Sequence, residues 1–164
     1  MEQQLNRLLN VKYNIESLKK LVRKVGELEP ERRMVRLGSP VLPMATEETW
    51  RWYVDSPEIV SYCEKHFAPI GELARREKVR LSMHPGQFTV LASESDDIVN
   101  RSIEEFEYHA TMARYMGYGK SFQDFKINVH ISGRKGPAGI QAVSYTHLRA
   151  HETVLDLVCR LLLE

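Results

Sequence analysis

The sequence predicts an α/β fold built on a parallel sheet. Apolar residues recur at helical spacing in three long segments, and a short strand-like segment follows each of them. Strands that are separated by helices pair in parallel through βαβ units. In barrels and in doubly wound sheets, such units leave the C-terminal ends of the strands open on one face, which carries the chemistry.

The first unit is a helix followed by a strand. Apolar residues recur at helical spacing over residues 5–25, including Leu9 and Leu21, and Gly26 and Pro30 then end the helix. The segment Met34–Leu37 is short and mostly apolar, which predicts a strand.

The second unit begins at Ser56 and Pro57, which are typical of a helix N-cap and of the first helical position. The apolar stripe of this helix contains Ile59, Val60, Cys63, Phe67, Ile70, Leu73 and Ala74. A strand is predicted over residues 79–83.

The third unit has a helix over residues 98–113, which Gly117 and Gly119 terminate, and a strand over residues 126–129. A closed barrel needs eight strands over roughly 250 residues. The three units therefore predict a partial barrel at most, and we expect the chain to be cut short.

Composition sets broad limits on function. The chain has 23 Lys plus Arg against 22 Asp plus Glu, and this balance neither favours nor excludes a nucleic acid partner. There is no apolar run long enough to span a bilayer and no secretory signal pattern at the start, which predicts a cytoplasmic protein with no membrane partner. Two cysteines without metal-like spacing predict no disulfide framework.

The last 22 residues, 143–164, differ from the rest. Residues 143–153 resemble one reading frame of a transposase-type sequencing-library adapter, and residues 156–164 resemble the flow-cell primer that follows it. We expect a native domain over residues 1–142 and a non-native tail over 143–164. The alternative is an amphipathic C-terminal helix.

Two histidines follow predicted strands. His84 comes after the strand at 79–83 and His130 after the strand at 126–129, and a glycine-containing turn follows each of them. Because adjacent parallel strands are about 5 Å apart, the two imidazoles could reach one metal ion or two neighbouring ions. The alternative is that each is a hydrogen-bonded histidine at the barrel rim.

Two loops offer candidate contacts with DNA. A turn at Pro85 and Gly86 would project Gln87 and Phe88, an amide and an aromatic ring suited to a base stack. Phe88 could instead begin a buried segment. A basic pair, Arg134 and Lys135, follows His130 between glycines and could meet phosphates or form a solvated loop.

Three motifs in order resemble the UV damage endonuclease family. Residues 81–88, LSMHPGQF, resemble its RLSxHPGQ-aromatic motif, and residues 97–109 and 126–133 resemble its next helix and strand. Residues 36–43 resemble an earlier strand and turn, so the resemblance covers about residues 5–142. The family usually has Tyr where Phe88 stands, and Phe keeps the stacking face without the hydroxyl.

The resemblance implies a TIM (β/α)8 barrel of the endonuclease IV-like type, present here as about three β/α units. It also implies a monomeric DNA repair enzyme that holds divalent metals, with Mn²⁺ expected and Zn²⁺ or Mg²⁺ as alternatives. The substrate would be double-stranded DNA, incised 5′ of UV photoproducts to leave a 3′ hydroxyl. His84 and His130 would be metal ligands, and Gln87 and Phe88 would probe the lesion.

The family's remaining Glu, Asp and His ligands lie on later strands that have no counterpart here. We therefore expect the 164-residue chain to be inactive alone. Two other interpretations stay open from the residues: a metal-dependent sugar isomerase or epimerase barrel, and a non-catalytic DNA-binding fragment.

Overall fold

A computed structural model describes residues 2–86, 88–120, 124–128, 137–139 and 141 of the chain. Single 3₁₀ turns precede β1, follow it and precede α2. The principal elements, in chain order, are α1 (Glu2–Gly26), β1 (Met34–Leu37), α2 (Arg51–Val54), α3 (Pro57–Arg76), β2 (Arg80–Met83), α4 (Asp96–Tyr115) and β3 (Lys126–Ile127).

The strands form one parallel sheet in the order β1-β2-β3. Leu37 is level with Met83, and Met83 is level with Ile127. Helix α1 contacts β1, α3 contacts β2 and α4 contacts β3, while α3 also packs against both α1 and α4. The parallel βαβ arrangement predicted from the sequence is confirmed.

The hydrophobic core lies between this sheet and the helices. Alternate strand residues point into it, among them Leu37, Leu81, Met83 and Ile127, and all four are buried. Burying such a side chain fully contributes about 1.5–3 kcal/mol. The predicted stripe of α3 is buried except for Val60, which is half-buried.

The prediction for the apolar face of α1 was wrong at two positions. Leu9 and Leu21 are 52% and 44% exposed, whereas Val11 is fully buried. The buried face consists of Val11, Ile15, Leu18 and Val22. Their spacing of four, three and four residues follows one side of a helix, and Leu9 and Leu21 project away from that side.

Local signals marked the helix ends correctly. The Oγ atom of Ser56 accepts a hydrogen bond from the backbone N–H of Ile59 at 3.4 Å, so Ser56 caps α3. Gly117 and Gly119 follow α4 with φ angles of +79° and +86°, a conformation that favours glycine. The four-residue helix α2 was not predicted, because it is too short to show a helical period.

None of the helices within the described ranges combines the length and apolar character that crossing a bilayer requires.

Gly71 permits the close approach of α3 to the end of α4. A Cβ atom at this position would overlap the backbone carbonyl of Met116. We expect Gly71→Ala to lower the free energy of unfolding by about 1–3 kcal/mol, because backbone must shift to admit the methyl group. Urea denaturation measures this change. Gly86→Ala is the control, since nothing lies within 4 Å of its added Cβ, and equal losses in the two variants would contradict the prediction.

Candidate functional site

The carboxyl ends of the strands meet at one edge of the sheet. Because Leu37, Met83 and Ile127 are level, the residues that follow them lie side by side. His84 follows β2 and Asn128 follows β3, and both are half-buried. The backbone N–H of Asn128 donates to the carbonyl of Met83 at 2.9 Å, which continues the strand pairing up to this edge. This edge is the candidate site.

The loop after His84 projects one aromatic side chain into solvent. The backbone N–H of Thr89 donates to the carbonyl of Gly86 at 3.0 Å and closes a tight turn. Pro85 before the turn and Thr89 after it are buried, whereas Phe88 is 85% exposed. Phe88 therefore does not begin a buried segment, although Thr89 and Leu91 beyond it are buried.

Helix α4 holds this loop through a side-chain hydrogen bond. The backbone N–H of Val90 donates to the Oγ of Ser102 at 2.8 Å, and that hydroxyl donates in turn to the carbonyl of Ile98 at 2.7 Å. Ser102 is buried, so water competes poorly for these bonds. The exposed ring of Phe88 is thus carried by a loop whose next residues are bonded to a helix.

The turn after β1 is also bonded to α4. The hydroxyl of Tyr108 donates to the carbonyl of Ser39 at 2.6 Å and accepts from the backbone N–H of Leu42 at 3.0 Å. From the other side, the amide of Asn14 on α1 donates to the carbonyl of Pro40 at 3.0 Å. The loops after β1 and β2, which flank the candidate site, are therefore both held by hydrogen bonds to helices.

His109 completes this attachment and is fully buried. Its Nδ1 lies 2.6 Å from the carbonyl of Glu105, which can only accept, so Nδ1 carries the proton. Nε2 then accepts from the hydroxyl of Ser39 at 3.0 Å. Burial lowers the pKa of the imidazole below its usual 6.5, although the Glu105 carbonyl partly opposes this. His109 is therefore a buried histidine that the lowered pKa keeps neutral at neutral pH.

A separate cavity of about 340 Å³ opens between α2, α3 and α4. Arg51 and Glu104 form an ion pair of 2.7 Å at its wall. Cys63 also lines it, and burial raises the pKa of that thiol to about 12, so the thiol stays protonated at neutral pH. Neither His84 nor Phe88 lines this cavity.

The comparisons with known proteins agree with one another. The family model UV-endonuclease UvdE matches residues 1–160. A UV DNA damage endonuclease of Bacillus pumilus (strain SAFR-032) is 31% identical over 103 residues, covering 63% of this chain and 30% of the relative. A putative UV-damage endonuclease of Acanthamoeba polyphaga mimivirus is 35% identical over 125 residues, covering 75% of this chain and 34% of the relative.

The chain belongs to the UV-endonuclease UvdE family. It spans about a third of the length of these curated relatives. The crystal structure of SacUVDE is similar at a TM-score of 0.76 and 21% identity, over 94% of this chain and 50% of that one. This likeness shows a TIM-barrel-like fold, of which the chain forms a part. The endonuclease IV-like type stays a prediction.

The predicted site residues of this UvdE-family chain fall into two groups. His84 lies at the candidate edge and Phe88 on the loop that follows it, and their roles as metal ligand and lesion probe stay predictions. Asn128 lies beside His84 and was not singled out, because an asparagine at a strand end carries no distinctive signal. Outside the described residues lie Gln87, His130, Arg134, Lys135 and the tail 143–164.

Metal binding stays a prediction too. Within the described ranges, no group of three His, Cys, Asp or Glu side chains could hold a metal ion. The described part of the edge offers the imidazole of His84 and the amide of Asn128. These are fewer donors than a metal cluster requires.

The neutral state of His109 makes folding sensitive to acid. Below about pH 6.5 the unfolded chain takes up a proton at this residue and the folded chain does not, so stability falls as pH falls. We expect urea unfolding from about pH 8 to about pH 5 to show a shallower loss in His109→Gln than in the native chain, by up to about 1.4 kcal/mol per pH unit.

His109→Gln is expected to lose stability at every pH through its altered contacts. Only the difference in how steeply the free energy of unfolding changes with pH therefore tests whether His109 stays neutral in the folded chain. NMR titration of the folded native chain is the independent check. A His109 resonance that titrates at pH 6.5 or above would contradict a lowered pKa.

Proposed function

We propose that this chain is the part of a UV damage endonuclease that recognises the lesion. The parent enzyme would incise the phosphodiester 5′ of pyrimidine dimers in double-stranded DNA. Membership of the UvdE family and relatives named UV DNA damage endonuclease support a DNA repair endonuclease. The 164-residue chain is expected to be inactive in incision because it spans only about a third of those relatives.

The observation that carries the proposal is the exposure of Phe88. An apolar ring that is 85% exposed costs free energy in water unless a partner covers it. The ring extends from an anchored loop next to His84, at the edge where barrel enzymes carry their chemistry. Flat apolar groups of this kind insert between bases and hold a kink open.

Selection of a lesion follows from the same geometry. A pyrimidine dimer is already bent and weakly stacked, so opening it costs less than opening intact DNA. Gln87, the residue before the exposed ring, has an amide suited to base-edge hydrogen bonds. A sugar isomerase needs an enclosed pocket, and an aromatic ring exposed at the rim favours a stacked base instead.

For catalysis in the parent enzyme, we propose that His84 and His130 each donate an imidazole nitrogen to a divalent cation, with Mn²⁺ the expected ion. Imidazole suits manganese and zinc. Such a cation would supply Lewis-acid activation of water and of the phosphodiester oxygens. The described part of the edge has too few donors for a metal cluster, so further ligands would come from residues outside that part.

The first test is lesion preference. We expect the chain to bind a duplex with one pyrimidine dimer more tightly than the undamaged duplex, measured by fluorescence anisotropy. Phe88→Ala should reduce this preference by about fivefold to 150-fold, since base–aromatic stacking contributes about 1–3 kcal/mol. Phe88→Tyr keeps the ring and should retain the preference.

Equal binding of both duplexes by the native chain would overturn the lesion-recognition proposal. Tyr13→Ala is a matched control, because Tyr13 is also an exposed aromatic residue but lies on α1, outside the loop that follows β2. It should leave the preference unchanged.

The second test separates binding from incision. The purified chain with added Mn²⁺ should not nick UV-irradiated plasmid, and repeated nicking above the level of a mock purification would refute its expected inactivity. Mn²⁺ binding, measured by calorimetry, should weaken in His84→Ala and remain in His66→Ala, since His66 lies on α3 and stacks on Tyr62.

A further inference from the structure

The cavity between α2, α3 and α4 lies in the helix layer, where the chain's own neighbouring helices form it. Helix α3 connects β1 to β2, and α4 connects β2 to β3. Strand β2 is paired on both sides, so further strands of a larger sheet could pair only beyond β1 and β3. Helices α3 and α4 therefore stay neighbours when the barrel is extended, and the cavity between them does not arise from a missing strand.

The size and walls of the cavity suit a small molecule. A volume of about 340 Å³ is at the lower end of the range for small-molecule sites. A sphere of this volume is roughly 9 Å across, which is narrower than the about 10–12 Å of a helix with its side chains. Much of the wall is apolar and consists of Leu42, Val54, Val60, Ile103 and Met112.

Carboxylates outnumber cations around this cavity. Asp55, Glu104 and Glu107 line it together with Arg51. Glu104 pairs with Arg51 at 2.7 Å, and Glu107 lies 3.6 Å from the guanidinium group of Arg114. Three carboxylates thus face two guanidinium groups among these residues, which leaves an excess of negative charge.

Two tyrosine rings, Tyr108 and Tyr115, also line the cavity. Burial raises the pKa of the Tyr115 hydroxyl, and Cys63, Glu64 and Asp55 raise it further. Surroundings that disfavour a tyrosinate anion favour a cation, because both effects follow from negative charge nearby. The faces of tyrosine rings attract cations as well.

We propose that this cavity binds a small organic cation, a primary ammonium group carried on an apolar chain. The ammonium group lies at the acidic rim beside Asp55, and the chain lies against the apolar wall. An organic anion of the same shape meets an excess of negative charge, and a neutral alcohol lacks the ion pair. The site is separate from the candidate edge and does not rest on the proposed function.

The test uses three six-carbon probes of similar shape: hexylammonium, hexanol and hexanoate. Each is titrated into the isotope-labelled 164-residue chain, and NMR follows the backbone amide shifts. We expect hexylammonium to bind most tightly and hexanoate most weakly, with shifts at Ala45, Ile103 and Thr111, which line the cavity. Equal affinities for the three probes, or shifts confined to residues outside the cavity, would overturn the proposal.

A charge variant tests the rim. Asp55→Asn should weaken hexylammonium binding by up to about fivefold and leave hexanol binding unchanged, since an exposed ion pair contributes up to about 1 kcal/mol. Glu72→Gln is the matched control, because Glu72 is also exposed but lies near the other end of α3, outside the lining. An unchanged ratio of hexylammonium to hexanol affinity in Asp55→Asn, or the same loss in Glu72→Gln, would refute the role of the rim.

A space-filling variant tests the wall. Val60→Phe places a larger side chain in the cavity and should abolish binding of hexylammonium and hexanol alike. Val99→Phe is the control for the substitution itself, because Val99 is half-buried on α4 and does not line the cavity. Retained binding by Val60→Phe, in a chain that urea denaturation shows to be folded, would contradict the assignment of the cavity.

A lysine peptide separates a free molecule from a protein partner, since both present an ammonium group on an apolar chain. The peptide should bind more weakly than hexylammonium, because its backbone does not fit a cavity of this size. A trilysine peptide that binds more tightly than hexylammonium would place the cation on a protein partner and overturn the small-molecule assignment.

Discussion

Parallel pairing at one register is the constraint on which the rest of the structure depends. With Leu37 level with Met83, and Met83 with Ile127, the ends of the strands form a common edge. The same register sorts the residues of β2, sending Leu81 and Met83 toward the helices and Ser82 away from them. A shift by one residue would bury polar groups and expose the core, so the hydrophobic effect enforces this alignment.

Helix α4 fixes the loops after β1 and β2 relative to the sheet. It packs against β3 and α3, and it also donates and accepts the side-chain bonds that hold the turns after β1 and β2. His109 takes part only as a neutral imidazole, because its Nδ1–H faces a carbonyl and its Nε2 accepts from Ser39. A fully buried residue thus contributes to the shape of the candidate edge.

The outcome is an anchored loop that presents an aromatic ring beside two polar side chains. Phe88 is exposed on this loop, and His84 and Asn128 lie half-buried at the neighbouring strand ends. The flat bases of nucleic acids stack on such rings, which is the basis of the proposed lesion recognition.

The sequence by itself determined the features that depend on neighbouring residues. The bounds of β1, the Ser56 cap and the glycines after α4 follow from local patterns, and the ordered motifs identified the family. Only the tertiary structure decided that Phe88 is exposed, that Asn128 lies beside His84, and that His109 bonds to Ser39. Those features depend on contacts between residues distant along the chain, and a local pattern contains no information about which distant surface will cover a side chain.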